Sequence, residues 1–188
     1  AWDAVELPSQ FMENWCWEPE GLALISGHYE TGEALPQAML DKMLAAKNFQ
    51  SGLMMVRQLE FSLFDFELHA THGDGRSVLD VLEEVRAEVS VLRPPAYNRF
   101  ANGFAHIFAG GYAAGYYSYK WAEVLSADAF SKFEEEGVFN ADTGRAFRET
   151  ILARGGSQEP MVLFVEFRGR EPSIDALLRH LGLSQEAA

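Results

Sequence analysis

Apolar residues recur every three or four positions along most of the chain, and this spacing predicts α-helices nearly throughout. A first helix carries Phe11, Trp15 and Leu22 on one face and begins near Pro8, because proline is tolerated in a first helical turn and disruptive further in. Residues 27–35 are typical of a loop. Further helices are predicted along residues 39–44, along residues 53–66, after a Ser77 cap, from Tyr112 towards Phe133, after an Asp142 cap, between Pro160 and Gly169, and between Ser173 and Gly182.

Residues 96–115 interrupt the helical pattern. They contain Gly103, Gly110, Gly111 and Gly115 among phenylalanine and tyrosine residues, and glycine at this density weakens a helix. We expect a flexible or closely packed loop here. No segment keeps the period-two alternation of a half-buried strand, so the sequence predicts an all-α fold.

The composition narrows the classes of protein to which the chain can belong. With 188 residues, 48% of them hydrophobic and 13% aromatic, it can bury a core as a single domain or as one lobe of a larger one. The formal net charge of -13 disfavours both nucleic acid and an anionic membrane surface as partners, so we expect neither. No apolar run reaches the length that spans a bilayer.

Cysteine usage bears on the cellular compartment. The single cysteine, Cys16, excludes an intrachain disulfide and is typical of a reducing compartment, so we expect a cytoplasmic protein. Its position between Trp15 and Trp17 predicts a buried, inert thiol.

Three tyrosines follow the glycine-rich segment. On a helix, Tyr112, Tyr116 and Tyr119 occupy positions i, i+4 and i+7 and share one face. Phenol hydroxyls can donate hydrogen bonds to a carbonyl that gains negative charge, and the preceding loop, which contains His106, can close over a substrate. The spacing alone favours the other interpretation, in which the rings form a core stripe with their hydroxyls at its edge.

Two further groups carry side chains that can bind metals. Glu6 and Glu13 lie seven positions apart and share a helix face if the helix begins early enough, but their charge alone favours solvated surface positions. His69 and His72 lie three apart, a spacing that can chelate a metal. Their place at a predicted helix end beside Gly73 favours a plain electrostatic role, and no third ligand lies nearby in sequence.

Two strings in the sequence resemble a known family. Residues 6–15 read Glu-Leu-Pro-Ser-Gln-Phe-Met-Glu-Asn-Trp, residues 110–119 read Gly-Gly-Tyr-Ala-Ala-Gly-Tyr-Tyr-Ser-Tyr, and shorter matches lie at residues 28–32, 57–60 and 154–157. In this order, and over essentially all 188 residues, the chain resembles the thimet-oligopeptidase family of zinc metallopeptidases, and within it the bacterial oligopeptidase A branch.

The resemblance implies a fold, an activity and a zinc ligand. Family members hydrolyse short peptides in a deep channel between two mostly helical lobes. We expect residues 1–188 to form a single helical unit, the C-terminal part of an incomplete zincin-like metallopeptidase catalytic domain. The family holds zinc through two histidines of a His-Glu-x-x-His helix and one downstream glutamate. By motif match Glu6 is that glutamate, and Glu13 supports the site from behind the ligands.

The resemblance also assigns roles to the second string. Tyr112 and Tyr119 match family tyrosines that hydrogen-bond the substrate carbonyl or its oxyanion, and His106 resembles a family histidine that contacts the substrate. The substrate-binding residues implied by the same match are Tyr116, Gly110 and Gly111.

One element of the family pattern is missing, since the sequence contains no His-Glu-x-x-His motif. We therefore expect a fragment that is inactive alone, with zinc in the intact enzyme but not tightly held by this chain. The expected partners are short peptides and the missing N-terminal part of the same enzyme, and exposed apolar surface predicts self-association. The alternative is a stand-alone helical peptide-binding or interaction module without catalysis.

Overall fold

The computed structural model describes residues 1–184, and this part of the chain is helical and contains no strand, so the prediction of an all-α fold is confirmed. Within these residues, no helix combines the length and the apolar character needed to cross a membrane. The α-helices of this part of the chain are α1 (Leu7–Glu13), α2 (Pro19–Ile25), α3 (Gln37–Lys47), α4 (Ser51–Ala70), α5 (Val78–Val89), α6 (Phe100–Gly103), α7 (Ala105–Phe108), α8 (Ser118–Glu136), α9 (Ala141–Phe147), α10 (Pro160–Arg168) and α11 (Asp175–His180).

The first predicted helix is divided in two. It begins beside Pro8 as predicted, since Pro8 is the second residue of α1. A 3-10 turn at Asn14–Trp17 follows α1, and Glu18 is then extended, with φ −90° and ψ 131°. Proline disfavours a helical conformation in the residue before it, so Pro19 ends the turn and starts α2. The prediction of one helix carrying both Phe11 and Leu22 was therefore wrong.

Capping residues set several helix ends as the sequence predicts. The Ser77 hydroxyl accepts a hydrogen bond from the Asp80 amide and the Asp80 carboxylate accepts one from the Ser77 amide, which starts α5 with a capping box. Gly169 ends α10 in a left-handed conformation, with φ 80°. The cap of α9 is Asn140 and not Asp142, because α9 begins two residues earlier than predicted and a cap must precede the first helical residue.

The chain divides into two compact units. The first comprises Ala1, Asp3–Phe49 and the chain from Trp121 onward, and the second comprises Trp2 and Gln50–Lys120. The prediction of a single helical unit over residues 1–188 stays a prediction. Each unit has its own buried core.

Aromatic residues hold the first unit together. Phe11 of α1 stacks on Phe147 of α9 with ring centroids 3.9 Å apart, and Trp15 meets Phe130 of α8 edge to face at 4.8 Å. Aromatic pairs in such geometries contribute ~0.5–1.5 kcal/mol beyond the burial of their area. The buried members of this core are Leu7, Phe11, Leu125, Ala129, Phe130, Phe133, Phe147, Ile151, Leu163, Phe164 and Phe167.

A buried carboxylate ties the end of the first unit to α8. Asp128 is fully buried and accepts hydrogen bonds from the Arg170 guanidinium at 2.5 and 2.6 Å and from the Ser173 amide at 2.7 Å. Burial by itself would raise the pKa of Asp128, but the hydrogen bonds from Arg170 and Ser173 outweigh it and hold that pKa below its ordinary value. The ionised carboxylate thus fixes the segment between α10 and α11.

The second unit is built on α4 and α5. Its buried apolar core consists of Phe64, Val81, Leu82, Val85, Ala101, Phe104 and Ile107. The buried Glu60 carboxylate of α4 accepts a hydrogen bond from Arg86 of α5 at 2.9 Å and another from Arg57 of its own helix at 2.6 Å. Arg86 also donates to the Asn98 side chain at 3.2 Å, so this network reaches the segment that leads into α6.

Replacing Asp128 with asparagine should destabilise the first unit by about 1.5–3 kcal/mol, because the Ser173 amide and the partly exposed Arg170 guanidinium lose a charged hydrogen-bond acceptor. The pKa of Asp128 is lower in the folded state, so its contribution is complete above the ordinary aspartate pKa and is lost as the pH falls through the folded-state pKa. Urea unfolding followed by circular dichroism, repeated at decreasing pH, measures both effects. Wild type and variant should converge in acid.

The matched control is Asp142→Asn. Asp142 is an exposed carboxylate of the same unit that pairs with the exposed Arg145 at 3.1 Å. Surface ion pairs contribute little, so we expect a change below about 0.5 kcal/mol. Equal losses in the two variants would contradict the role given to Asp128.

Candidate functional site

Four of the predicted site residues form one cluster of rings within the second unit. The Tyr112 and Tyr119 rings stack with centroids 4.8 Å apart, and Tyr119 lies 5.1 Å from Tyr116. The His106 ring is 5.7 Å from that of Tyr116 and 6.2 Å from that of Tyr119. We call His106, Tyr112, Tyr116 and Tyr119 the tyrosine cluster. Its tyrosines are half-buried and its histidine is exposed, so one edge of the cluster is open to a ligand.

The core-stripe interpretation describes one tyrosine better than the others. Tyr116 packs against the buried core of the second unit, with its ring 4.9 Å from Phe104 and 6.0 Å from Phe61. Tyr112 and Tyr119 are not among the residues packed on that core. The cluster therefore rests on the core through Tyr116, and the His106 ring also lies 5.8 Å from that of Phe104.

Tyr112 and Tyr116 lie on a turn where the sequence predicted a helix, and only Tyr119 lies on α8. α8 begins at Ser118 and not at Tyr112. Ala114 is left-handed, with φ 53°, a conformation that no α-helix contains and that residues with a side chain disfavour. The Gly115 amide donates to the Tyr112 carbonyl at 2.8 Å and closes the turn. The predicted helix start was therefore wrong for residues 112–117.

Asp65 of α4 organises this turn, and the sequence analysis did not single it out. Asp65 is fully buried; its Oδ1 accepts the Ala114 amide and its Oδ2 accepts the Tyr116 amide, each at 2.9 Å. One sequence signal was present. Asp65 stands between Phe64 and Phe66 in an apolar helical stretch, and a carboxylate is rarely buried there without partners.

Trp2 also belongs to the second unit, where it contacts Tyr112. The two residues are far apart in the sequence, so the sequence pattern did not indicate this contact. The Trp2 ring is 5.5 Å from the Tyr112 ring. A Cβ atom added to Gly115 would lie 3.1 Å from the Trp2 ring, so a side chain there would push the indole away. Trp2 thus extends the apolar surface beside the tyrosine cluster.

The two glycines predicted to bind substrate have clear roles in the backbone. Gly111 has φ 84°, which favours glycine over any residue with a side chain. A Cβ atom on Gly110 would lie 2.8 Å from the His106 Cα atom, so no side chain fits there without a shift of the backbone. Contact of either glycine with a substrate stays a prediction.

Tyr116 presents a protonated phenol. Burial raises the pKa of Tyr116, and the neighbouring Tyr119 raises it further. The Tyr116 hydroxyl donates a hydrogen bond to Gln58 Oε1 at 3.3 Å. Tyr116 is therefore a neutral hydrogen-bond donor at physiological pH, not a phenolate.

Glu6 and Glu13 lie in the first unit. Glu6 precedes α1, its Oε2 accepts the Ser9 hydroxyl at 2.5 Å, and it takes part in a further interaction. Glu13 is the exposed last residue of α1. Because α1 begins after Glu6, the two carboxylates do not share a face of this helix. Their predicted roles towards a metal stay predictions.

Among residues 1–184, no group of three or more histidine, cysteine, aspartate or glutamate side chains could hold a metal ion. His69 Nδ1 lies 3.0 Å from Asp65 Oδ1, whereas His72 is exposed, so the two histidines have different surroundings. Cys16 is exposed, and the prediction of a buried thiol was wrong. The 3-10 turn packs Trp15 against the core of the first unit and leaves the next residue at the surface.

Comparison with known proteins agrees with these motifs. The model of peptidase family M3 matches residues 1–183. The chain is 65% identical to oligopeptidase A of Escherichia coli over 184 residues and 62% identical to oligopeptidase A of Haemophilus influenzae over 184 residues. It is 38% identical to saccharolysin of Saccharomyces cerevisiae over 185 residues.

Each of these matches covers 97% of this chain but only 26–27% of the relative. The chain thus spans about a quarter of the length of the curated relatives that it matches. The resemblance predicted from residues 6–15 and 110–119, including that to bacterial oligopeptidase A, is confirmed. This chain belongs to peptidase family M3.

Proposed function

We propose that this chain supplies the substrate-binding residues of an oligopeptidase, a hydrolase that cleaves short peptides. The observation that supports the proposal most is the tyrosine cluster, with three half-buried phenols and an exposed imidazole in a family M3 chain. Hydrolysis of a peptide bond places negative charge on the carbonyl oxygen. Hydrogen-bond donors held in position lower the energy of that state, because they need no reorganisation when the charge forms.

Within this proposal the residues of the cluster have separate roles. Tyr112 and Tyr119 donate hydrogen bonds to the carbonyl oxygen, and the stacking of their rings restricts the motion of both. Tyr116 binds the substrate as a protonated phenol, since its pKa is raised. His106 contacts the substrate from the exposed edge. Gly110 and Gly111 let the backbone approach it closely.

The intact protein, in this proposal, holds zinc, with Glu6 as one ligand and Glu13 behind it. Zinc sites in proteins use three or four side-chain ligands, and Glu6 alone does not make one. We propose that the other ligands come from polypeptide outside this chain. Bound zinc supplies a Lewis acid and an activated water to peptidases of this kind.

A second candidate function is a stand-alone peptide-binding or interaction module. It is favoured by the completeness of the tyrosine cluster within one compact unit, Trp2 and Gln50–Lys120. Such a module would bind short peptides through the same phenols without cleaving them. We propose the cytoplasm as the compartment of either form, on the support of the single cysteine.

A chimera tests the peptidase proposal directly. This chain replaces the matching residues of E. coli oligopeptidase A, to which it is 65% identical over 184 residues. The chimera should cleave a short fluorogenic peptide, and Tyr112→Phe or Tyr119→Phe should each lower kcat by about 100-fold or more through loss of a donor to the carbonyl oxygen. A folded, zinc-loaded chimera that binds the peptide without cleaving it would favour the binding module.

The matched control for these variants is Tyr97→Phe. Tyr97 is a tyrosine of the same unit that is 81% exposed and lies outside the cluster. Its hydroxyl has no role in the proposal, so kcat should be unchanged. A loss in this variant as large as in Tyr119→Phe would show that the effect is not specific to the cluster.

Zinc affinity tests the role of Glu6. The chimera should bind about one zinc ion per chain, Glu6→Gln should weaken binding by more than about 100-fold, and Glu13→Gln by about tenfold. Competition with a chromophoric chelator measures these affinities, and Glu20→Gln, an exposed carboxylate of α2, is the control. Tight stoichiometric zinc on the 188-residue chain alone would contradict the claim that Glu6 needs ligands from elsewhere.

Self-association of the isolated chain is also proposed. The first unit carries an apolar groove of about 470 Å³ whose exposed members are Met12, Leu24, Ile25, Phe139 and Leu152. Exposed apolar surface of this kind favours association. Light scattering should show a mass that rises with concentration, and Leu24→Lys should lower it. A monodisperse monomer at high concentration would contradict the proposal.

A further inference from the structure

Asp65 accepts two hydrogen bonds from the segment that carries part of the tyrosine cluster. Its two carboxylate oxygens accept the amides of Ala114 and Tyr116, at 2.9 Å each, across 49 and 51 positions of sequence. His69 Nδ1 lies 3.0 Å from Asp65 Oδ1 and 2.8 Å from the Asp65 carbonyl oxygen. Asp65 and His69 lie one turn apart on α4, so a regular helix holds the carboxylate in place.

The turn that Asp65 holds is unfavourable without it. Ala114 is left-handed, and a non-glycine residue keeps that conformation only when its surroundings enforce it. Hydrogen bonds to a carboxylate are stronger than those between neutral groups. Asp65 is also fully buried, where water does not compete for its oxygens. The two amide contacts therefore enforce the turn from the helix side.

The same turn sets the positions of the rings. The Tyr112 amide donates to the His106 carbonyl at 3.0 Å, the Gly115 amide donates to the Tyr112 carbonyl at 2.8 Å, and the Ser118 amide donates to the Gly115 carbonyl at 3.1 Å. The Tyr119 amide also donates to the Tyr116 carbonyl at 3.3 Å, and Gly115 lies between the two residues that Asp65 anchors, so the backbone of the cluster is linked to the anchor. A shift of the Ala114 amide would change the spacing between Tyr112 and Tyr119.

We propose that Asp65 is the positioning residue of the tyrosine cluster, because its carboxylate fixes the turn that carries the rings. Asp65 does not touch the substrate; it acts through the backbone of Ala114 and Tyr116. The catalytic consequence rests on the proposed peptidase function, whereas the anchoring of the turn does not. The experiment therefore has one arm on structure and one on catalysis.

Glu60→Gln is the control matched to Asp65→Asn. Glu60 is a carboxylate of the same helix, 1% exposed, and it pairs with Arg57 and Arg86 instead of the turn. Both substitutions replace a buried carboxylate by an amide of nearly the same shape. In Asp65→Asn, one oxygen becomes an NH2 group that faces a backbone N–H, so at least one anchor bond is lost.

Hydrogen exchange of individual amides, followed by NMR on the 188-residue chain, is the structural arm. In wild type the Ala114 and Tyr116 amides should be protected from exchange. Asp65→Asn should speed their exchange by on the order of 100-fold beyond any change shared by the other amides of the second unit, whereas Glu60→Gln should change these two rates no more than those of the unit as a whole. Unchanged rates in Asp65→Asn, or an equally selective acceleration in Glu60→Gln, would overturn the proposal.

A measurement on wild type covers the case in which Asp65→Asn does not fold. Scalar couplings through hydrogen bonds should connect the amide nitrogens of Ala114 and Tyr116 to the side-chain carboxyl carbon of Asp65. These couplings require the two bonds themselves. Their absence from a folded wild-type chain would overturn the proposal without any variant.

Peptide cleavage by the chimera is the catalytic arm. Asp65→Asn should lower kcat by about tenfold or more with a smaller change in KM, because misplaced donors affect the transition state more than binding. Glu60→Gln should leave kcat unchanged. If Asp65→Asn speeds the exchange of the Ala114 and Tyr116 amides but leaves kcat unaffected, the positioning role is overturned. An inactive parent chimera would instead contradict the peptidase function. The exchange rates would still test whether Asp65 holds the turn in place.

Discussion

The arrangement of the candidate site depends on one buried carboxylate. Asp65 lies on α4, a regular twenty-residue helix, and takes both of its backbone partners from a segment about 50 positions away. Burial makes this link strong, because a carboxylate removed from water is stable only with donors close to its oxygens. The amides of Ala114 and Tyr116, in the turn before α8, are those donors. The helix and the turn therefore stabilise each other, and a left-handed alanine is the local cost.

The first unit uses the same device at another place. Asp128 on α8 is buried and binds the Arg170 guanidinium and the Ser173 amide, which fixes the irregular segment between α10 and α11. In both units a helix carries the carboxylate and an irregular segment supplies the hydrogen-bond donors. Apolar cores alone do not set the path of such segments, since their backbone amides need partners of their own.

Local signals in the sequence predicted much of the fold. The Ser77 capping box and the Gly169 helix end have the geometry that their residue types indicate. The break at Pro19 was also visible locally, although the apolar spacing across it suggested one helix. Helix periodicity is a weak guide where proline or a 3-10 turn intervenes, and Cys16 is exposed for that reason.

The candidate site depends on long-range contacts that local sequence patterns do not predict. The rings that the motif at residues 110–119 singled out do cluster, but Tyr112 and Tyr116 lie on a turn and only Tyr119 lies on a helix. The helix begins late because Asp65 accepts the Tyr116 amide, which a helix from Tyr112 would have used, and because Ala114 is left-handed. Spacing cannot reveal a bond across some 50 residues, and neither the left-handed Ala114 nor the contact of Trp2 with Tyr112 has a local signature.

Membership of peptidase family M3 places this cluster in a family of peptidases, and the account assigns its phenols to the substrate carbonyl. The most direct measurement is a crystal structure of the chimera with a bound, uncleavable peptide analogue. We expect a phenol oxygen of Tyr112 or Tyr119 within hydrogen-bond distance of a peptide carbonyl oxygen, with the turn in its present conformation. A peptide bound with all of its carbonyls away from these phenols would contradict it.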